Sequence, residues 1–323
     1  MFAKARAMHK EEMELYGGHW NTVKEKLANG TARPCFSTDM IAMQKADPES
    51  VSDPIAAYLA GSFLEAGSDT TSSTLYAFVQ AMLVFPEVQK KAQAEIDALI
   101  GDGGDSRLPN TEDEGKLPYI RACIKETCRW MPTTVLGAAP HACTKEGGDE
   151  YMGYHIPKGA IVVNNVYTLN MDEKRFPHPR QFRPERYVEA GDNQSLFDSA
   201  VNPDVSKRDQ YTFGAGRHLC QGMHLAERSL FLGMARILWA FDVVPQLDAA
   251  GNPIIPNIED LTQGLVILPQ PFKVQFKPRS EKRRLMVEQE WAEAEEQLDP
   301  VTKQWKHIPE GMKFKKDGLM FSE

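Results

Sequence analysis

No uninterrupted apolar run in this sequence is long enough to cross a bilayer. The most apolar late stretch, Leu230 to Val244, is broken by Arg236 and Asp242 and falls short of the roughly 20 apolar residues that a spanning helix needs. The front is charged from the outset, with Lys4, Arg6, Lys10, Glu11 and Glu12, so it reads as neither signal peptide nor membrane anchor. Cysteine pairs at CxxC spacing are absent, which removes the commonest zinc arrangements. The five cysteines, Cys35, Cys123, Cys128, Cys143 and Cys220, are odd in number and irregularly spaced, which argues against a disulfide framework and for a reducing compartment. Basic stripes are lacking as well. The 37 Lys and Arg against 45 Asp and Glu leave a net charge of -8, so nucleic acid is not an expected partner. There is no internal repeat and no low-complexity tract. What remains is a chain of 323 residues with ordinary globular composition, enough for one large core or two modest domains.

The local signals are mostly helical. Met1 to Lys26 reads as one or two helices with a break at Gly17-Gly18, followed by a loop from Asn29 to Asp53. Asp53-Pro54 opens a long helix, with Asp53 at the N-cap and Pro54 at the first helical position. Its apolar stripe runs Ile55, Leu59, Phe63, then Leu75, Phe78, Val79 and Met82, at spacings of one helical face. Pro86 starts a helix that Gly101 ends. Leu117 to Met131 is a third, with Ile120, Cys123, Ile124, Cys128 and Met131 on its buried face and Pro132 as its stop. Short β segments with Gly and Pro turns occupy Val135 to Val166, and Phe176 to Tyr187 is a Pro- and Arg-rich loop. Cys220 to Phe241 is a helix apolar nearly all round, expected to be buried. Leu261 to Phe276 reads as a closing pair of strands. From residue 278 the composition turns to charge, with Val287, Trp291, Ala294 and Leu298 as a sparse helical stripe. That stripe suits a solvated helix with one packed edge, or a partner-binding helix.

Three motifs stand out. In "FGAGRHLCQG", Phe213 to Gly222, a cysteine sits between a glycine-rich loop and the start of an apolar helix. Glycines permit the turn that aims amides at a sulfur anion, and a helix N-terminus beside the sulfur favours thiolate over thiol. Gly222 leaves room for a flat cofactor. A lone buried cysteine is usually inert core, but the ordered Phe-Gly-x-Gly-Arg context argues for a ligand. In "AGSDTT", Ala66 to Thr71, small polar residues interrupt the apolar stripe of the long helix. The Thr70 hydroxyl can bond the Ala66 carbonyl and open a kink, or the segment is a packing notch. In "KETCR", Glu126 and Arg129 stand three apart on one helix face, a spacing that alone denotes an ordinary surface ion pair.

Together these segments resemble the cytochrome P-450 (haem-thiolate monooxygenase) family, over roughly Met1 to Lys277. The cysteine loop is similar to the family's Phe-x-x-Gly-x-Arg-x-Cys-x-Gly signature at Phe213, Gly216, Cys220 and Gly222. His218 holds the usual arginine position and Arg217 lies one residue earlier. The resemblance implies a mainly α fold with a small β part, the C-terminal portion of the family fold, in residues 1–277, and a charged, partly helical tail in 278–323. It implies haem b (iron protoporphyrin IX) with Cys220 as the iron ligand. Arg217, His218 and His141, in "APHACTKE", would serve the propionates, and Ala66 and Gly67 would face the haem. Asp69 and Thr70 occupy the positions of the acid and alcohol that deliver protons to oxygen. "FRPERY" resembles the segment whose arginine, here Arg186, completes a buried triad with Glu126 and Arg129, in a supporting role.

The implied activity is monooxygenation of a small apolar organic substrate by O2, with electrons from an NADPH-dependent reductase. Thr70 argues for it over dehydratase or isomerase chemistry. A non-catalytic truncated homologue and a peroxide-driven oxidant are the rival readings. The resemblance further implies a long N-terminal half ahead of Met1 that supplies the pocket roof and, in microsomal members, an endoplasmic reticulum anchor. This chain alone, without that anchor, reads as soluble on the cytoplasmic side. "HIPKGAIVVNNVYTLNMDEKRFPHP" looks like the fungal microsomal type used in secondary metabolism.

Overall fold

Proline and glycine set most of the helix boundaries in the computed structural model of the chain, which describes residues 2–101, 107–137, 140–191, 194–209 and 211–307. The helices are α1 Phe2–Ala28, α2 Phe36–Ala46, α3 Asp53–Val84, α4 Pro86–Ile100, α5 Pro118–Trp130, α6 Val166–Asn170, α7 Glu185–Val188, α8 Leu196–Ala200, α9 Met223–Ala240 and α10 Glu281–Glu296. The strands are β1 His141–Ala142, β2 Asp149–Tyr151, β3 Tyr154–Ile156, β4 Ile161–Val162, β5 Phe241–Pro245 and β6 Val274–Pro278. They form three small antiparallel pairs, β1 with β4, β2 with β3 and β5 with β6. This is the mainly α architecture with a small β part that the sequence implies. The chain divides into two compact units, one of residues 1–68 and 286–323 and one of residues 69–285. Among the described residues no helix is long and apolar enough to cross a membrane. Residues 308–323 of the expected tail lie outside the described residues.

The first unit is held by Tyr16, Trp20, Met40, Ile41, Ala56 and Ala57, with Val23, Leu27 and Val51 packed against them. Four expectations change here. α1 runs unbroken through Gly17-Gly18. Each glycine costs about 1 kcal/mol relative to alanine, and burial of the flanking Tyr16 and Trp20 outweighs that. The expected loop 29–53 contains α2, because Pro34 and Pro48 bracket a helix instead of interrupting one. Its start is closed by the Cys35 amide donating to the Thr38 hydroxyl at 2.9 Å. In α3, Ile55, Leu59 and Phe63 are exposed while Ala56 and Ala57 are buried. The small-residue side packs inward because α1 comes very close: a side chain on Gly61 would collide with the Tyr16 ring. The helix also starts at Asp53 itself, whose carboxylate takes an ion pair from Lys24 at 2.7 Å and is not a cap.

In the second unit the later part of α3 buries Phe78, Val79 and Met82 as its spacing predicts. α9 packs against both α4 and α5, enclosing Ile96, Ile120, Leu230, Phe231, Leu238 and Trp239. From Ala122 to Trp130 α5 is buried all round, including Lys125, Glu126, Thr127 and Arg129. α9 starts three residues after Cys220, and in its first turn Leu225 is exposed. Within the loop 176–187, Glu185 opens the single turn α7. The expected strand pair within 261–276 is a lone bridge, Leu261 to Pro269. Pro269 and Pro271 lack the amides that a ladder needs, and β6 pairs with β5 instead, Val243 opposite Phe276.

The far end of α9 is pinned by charge. Arg283, almost fully buried, donates to the Trp239 carbonyl at 3.0 Å and to Asp97 at 2.8 Å, and Arg279 reaches the same carboxylate at 3.1 Å. Burial pushes Asp97 up, but the two guanidiniums outweigh it and hold its carboxyl below the ordinary value. A carboxyl lowered on folding contributes stability that is present above its unfolded pKa and lost as pH falls through the folded one. Acid titration of the thermal midpoint should therefore show a decline below about pH 4 that is shallower in Asp97→Asn. An identical acid slope in the variant would remove Asp97 from the account.

Candidate haem-ligand site

The site is built on the turn between α8 and α9, in the second unit. The Cys220 amide donates to the Phe213 carbonyl at 2.9 Å, closing the segment 213–220 into a ring. Two left-handed residues make the ring possible, Gly214 at φ 79° and Gly216 at φ 62°. A side chain at Gly214 would also press on the His218 carbonyl at 3.1 Å. Residues 216–218 form one 3-10 turn, and Gly222 leads directly into α9. A Cβ on Gly222 would lie 4.0 Å from the Cys220 sulfur, so its absence leaves that flank open.

All five cysteines are free, and Cys220 is the exposed one. Cys123 and Cys128 are buried in α5. Burial pushes the Cys128 thiol up to about 12 and the Cys123 thiol well above its ordinary value, so neither is a thiolate near neutrality. Arg217 and His218 lie exposed on the ring and Phe213 is half-buried. The His141 ring, from β1, meets the His218 ring edge-on with centroids 4.3 Å apart. Two nitrogen-bearing groups from distant parts of the sequence thus converge beside the cysteine ring. The residues suit a haem: an accessible soft sulfur ligand, glycines that clear a flat group, and donors for its carboxylates.

The α3 candidates divide between the two units. Ala66 and Gly67 fall in the first unit, both exposed, and Asp69 and Thr70 in the second. Asp69 is exposed and Thr70 half-buried. The segment stays α-helical from end to end. Its hydroxyls bond backward along the helix, Ser72 to the Asp69 carbonyl at 3.0 Å and Thr74 to the Thr70 carbonyl at 2.9 Å.

The supporting residues converge more tightly than their spacing reveals. Glu126 receives Arg129 through two bonds, Nε at 2.7 Å and Nη2 at 2.8 Å, and Arg186 Nε at 3.2 Å. The Arg183 amide adds a further bond at 2.8 Å. Glu126 and Arg129 are completely buried. Burial alone would lower Arg129, but the Glu126 carboxylate overrides it and holds the guanidinium above its ordinary value. Arg129 also spans to the Asn170 and Pro179 carbonyls at 2.9 and 2.8 Å, and Arg186 to the Pro177 carbonyl at 2.7 Å. Two contributors escaped the sequence reading. Asn170 caps the end of α5 through the Arg129 carbonyl at 3.1 Å, and Lys125 pairs with Asp209 at 3.0 Å. A buried lysine on a helix otherwise lined by core residues was the available signal for the second.

The comparisons with known proteins place the chain in a family. The family described as Cytochrome P450 matches residues 1–276. The chain is 49% identical over 311 residues to cytochrome P450 monooxygenase virE of Hypocrea virens, covering 96% of this chain and 54% of that protein. It is 46% identical to cytochrome P450 monooxygenase fsoB of Humicola fuscoatra, covering 97% of this chain and 56% of the relative. A solved zebrafish cytochrome P450 with abiraterone superposes at a TM-score of 0.66 with 25% identity, over 84% of this chain and 59% of that one. The chain thus spans about half the length of the curated relatives it matches. With the cysteine ring, the buried Glu-Arg-Arg triad and these matches in one sequence order, the chain belongs to the cytochrome P450 family.

Proposed function

We infer that residues 1–277 form the cysteine-bearing part of a haem-dependent monooxygenase and that 278–323 are an appended tail. The observation that carries this reading is the single exposed cysteine, Cys220, held in a closed glycine ring. Cys220 would hold the iron of a haem b, and Arg217, His218 and His141 would receive its propionates. When bound, haem supplies oxygen activation at the expense of two electrons, and the thiolate tunes it. The chain's own contribution is to fix the sulfur and to admit a flat group past Gly216 and Gly222, with Phe213 closing the ring. Asp69 and Thr70 would deliver protons toward that group, Thr70 through its hydroxyl. The relatives' names, cytochrome P450 monooxygenase, support insertion of one oxygen atom; the substrate would be a small apolar organic molecule. Electrons would come from an NADPH-dependent reductase, with the whole protein on the endoplasmic reticulum membrane.

The test is reductase-driven turnover of haem-loaded protein with isotopically labelled dioxygen and an apolar probe substrate. One labelled atom in the product, dependent on the reductase, is the expected result. Label-free product made only with added peroxide would replace the monooxygenase reading with peroxide-driven oxidation. In the same assay Thr70→Val keeps the shape and removes the hydroxyl. Product per electron consumed should fall by up to about 10²-fold, the low end of general acid–base assistance, because water substitutes for part of the relay. Hydrogen peroxide should rise to match. A variant with wild-type coupling would leave Thr70 without a proton role.

A further inference from the structure

Helix α5 ends with an acceptor that its own backbone cannot satisfy. A helical carbonyl is normally met by the amide four residues on. For Cys128 that residue is Pro132, which has no N–H, and α5 has already closed at Trp130. Cys128 is almost fully buried, so its carbonyl needs a protein donor. The shorter of two donors is the Thr212 hydroxyl, at 2.8 Å. The Asn170 amide is 3.4 Å from the same oxygen and lies closer to the Arg129 carbonyl.

Thr212 is the residue immediately before the cysteine ring. Its neighbour Phe213 accepts the Cys220 amide at 2.9 Å. From the Thr212 backbone to Cys220 the path is therefore one peptide link and one hydrogen bond. The Thr212 carbonyl in turn accepts from the Thr134 hydroxyl at 3.4 Å, so the residue is tied to the segment after α5 as well. A second tether lies one turn back on the same helix, where Lys125 meets Asp209 at 3.0 Å. Residues 125 and 128 are neighbours on a helix face, so both tethers hang the cysteine loop from one side of α5.

We propose that Thr212 is a positioning residue for Cys220: its hydroxyl fixes the register of the cysteine ring on α5 and so sets where the sulfur sits. This rests on the reading of Cys220 as the haem ligand. A residue that served stability alone would change the unfolding midpoint. A positioning residue also changes the share of haem that is held through sulfur.

The experiment compares the haem-loaded full chain as wild type, Thr212→Val, Thr212→Ser and Cys220→Ala. It reads total haem, the thermal midpoint, and the red-shifted ferrous carbon monoxide band of the thiolate-ligated form against the band of haem that has lost the thiolate. Thr212→Val should shift that ratio about five-fold away from the thiolate form, the equilibrium equivalent of one intramolecular hydrogen bond. Thr212→Ser, which keeps the hydroxyl, should stay near wild type. A lower midpoint with an unchanged ratio in Thr212→Val overturns the proposal. Should that variant fail to load haem, amide hydrogen exchange in the haem-free chain decides: the Cys220 amide should exchange about five-fold faster in Thr212→Val, and an unchanged rate overturns the proposal equally. The two levels of inference fail differently. A band that survives in Cys220→Ala removes the ligand reading itself, whereas its loss there beside a wild-type ratio in Thr212→Val removes only the positioning role.

Discussion

Replacing Cys220 with alanine should abolish the red-shifted Soret band of the reduced, carbon monoxide-bound protein completely. That band requires a thiolate on the iron, and none of the other four cysteines is placed to supply one. Cys123 and Cys128 are enclosed in α5, with their thiols pushed well above the neutral range by burial. Cys143 is only half-exposed, and its sulfur already points 3.7 Å from the Ile156 carbonyl. Cys35 caps α2 in the first unit. None of these four lies in a ring closed by glycines. The matched control is Cys143→Ala, which should keep the band at full intensity. Haem content separates the two ways of losing it: a Cys220→Ala protein that still carries haem but lacks the band has lost its ligand. An unchanged band in that variant would falsify the assignment.

Much of this site was legible because its residues are contiguous. Phe213 to Gly222 mark a turn, a candidate ligand and the start of a helix within ten positions, and the structure closes the ring with one backbone bond. The Glu126–Arg129 pair was legible only in part. Its i, i+3 spacing is shared with countless surface pairs, and burial depends on Pro177, Pro179 and Arg183, some 50 residues away in sequence. The first half of α3 misled for a different reason. Apolar periodicity marks Ile55, Leu59 and Phe63 as the packed face, but close approach of Tyr16 requires Gly61 and the alanines on the inner side. Periodicity reports which side chains are apolar, and here steric room decided which side turned inward. The Thr212 contact was invisible for a third reason. It answers a missing amide at Pro132, and a proline after a helix reads merely as a stop until the residue opposite its unmet carbonyl is known.

Glu126→Ala should be the most destabilising single change outside the apolar core. Glu126 and Arg129 are both completely buried, and removing one partner of such a pair costs roughly 3–5 kcal/mol because the other charge is left uncompensated. Here the loss is compounded. One Glu126 oxygen also accepts from the Arg183 amide and from Arg186, so its removal leaves further donors unmet. A whole domain is stable by only about 5–15 kcal/mol, so most of the variant should be recovered as insoluble or haem-free protein. Arg186→Met should cost less, since Glu126 stays paired with Arg129 through two bonds and Arg186 is nearer the surface. Glu126→Gln should fall between the two, keeping an acceptor for the Arg183 amide while giving up the charge. Thermal unfolding of the three soluble fractions, with haem content measured alongside, tests that order. A Glu126→Ala protein with the wild-type midpoint would mean that Arg129 is sufficiently held by the Asn170 and Pro179 carbonyls alone, and that the carboxylate adds nothing to the framework under the cysteine ring.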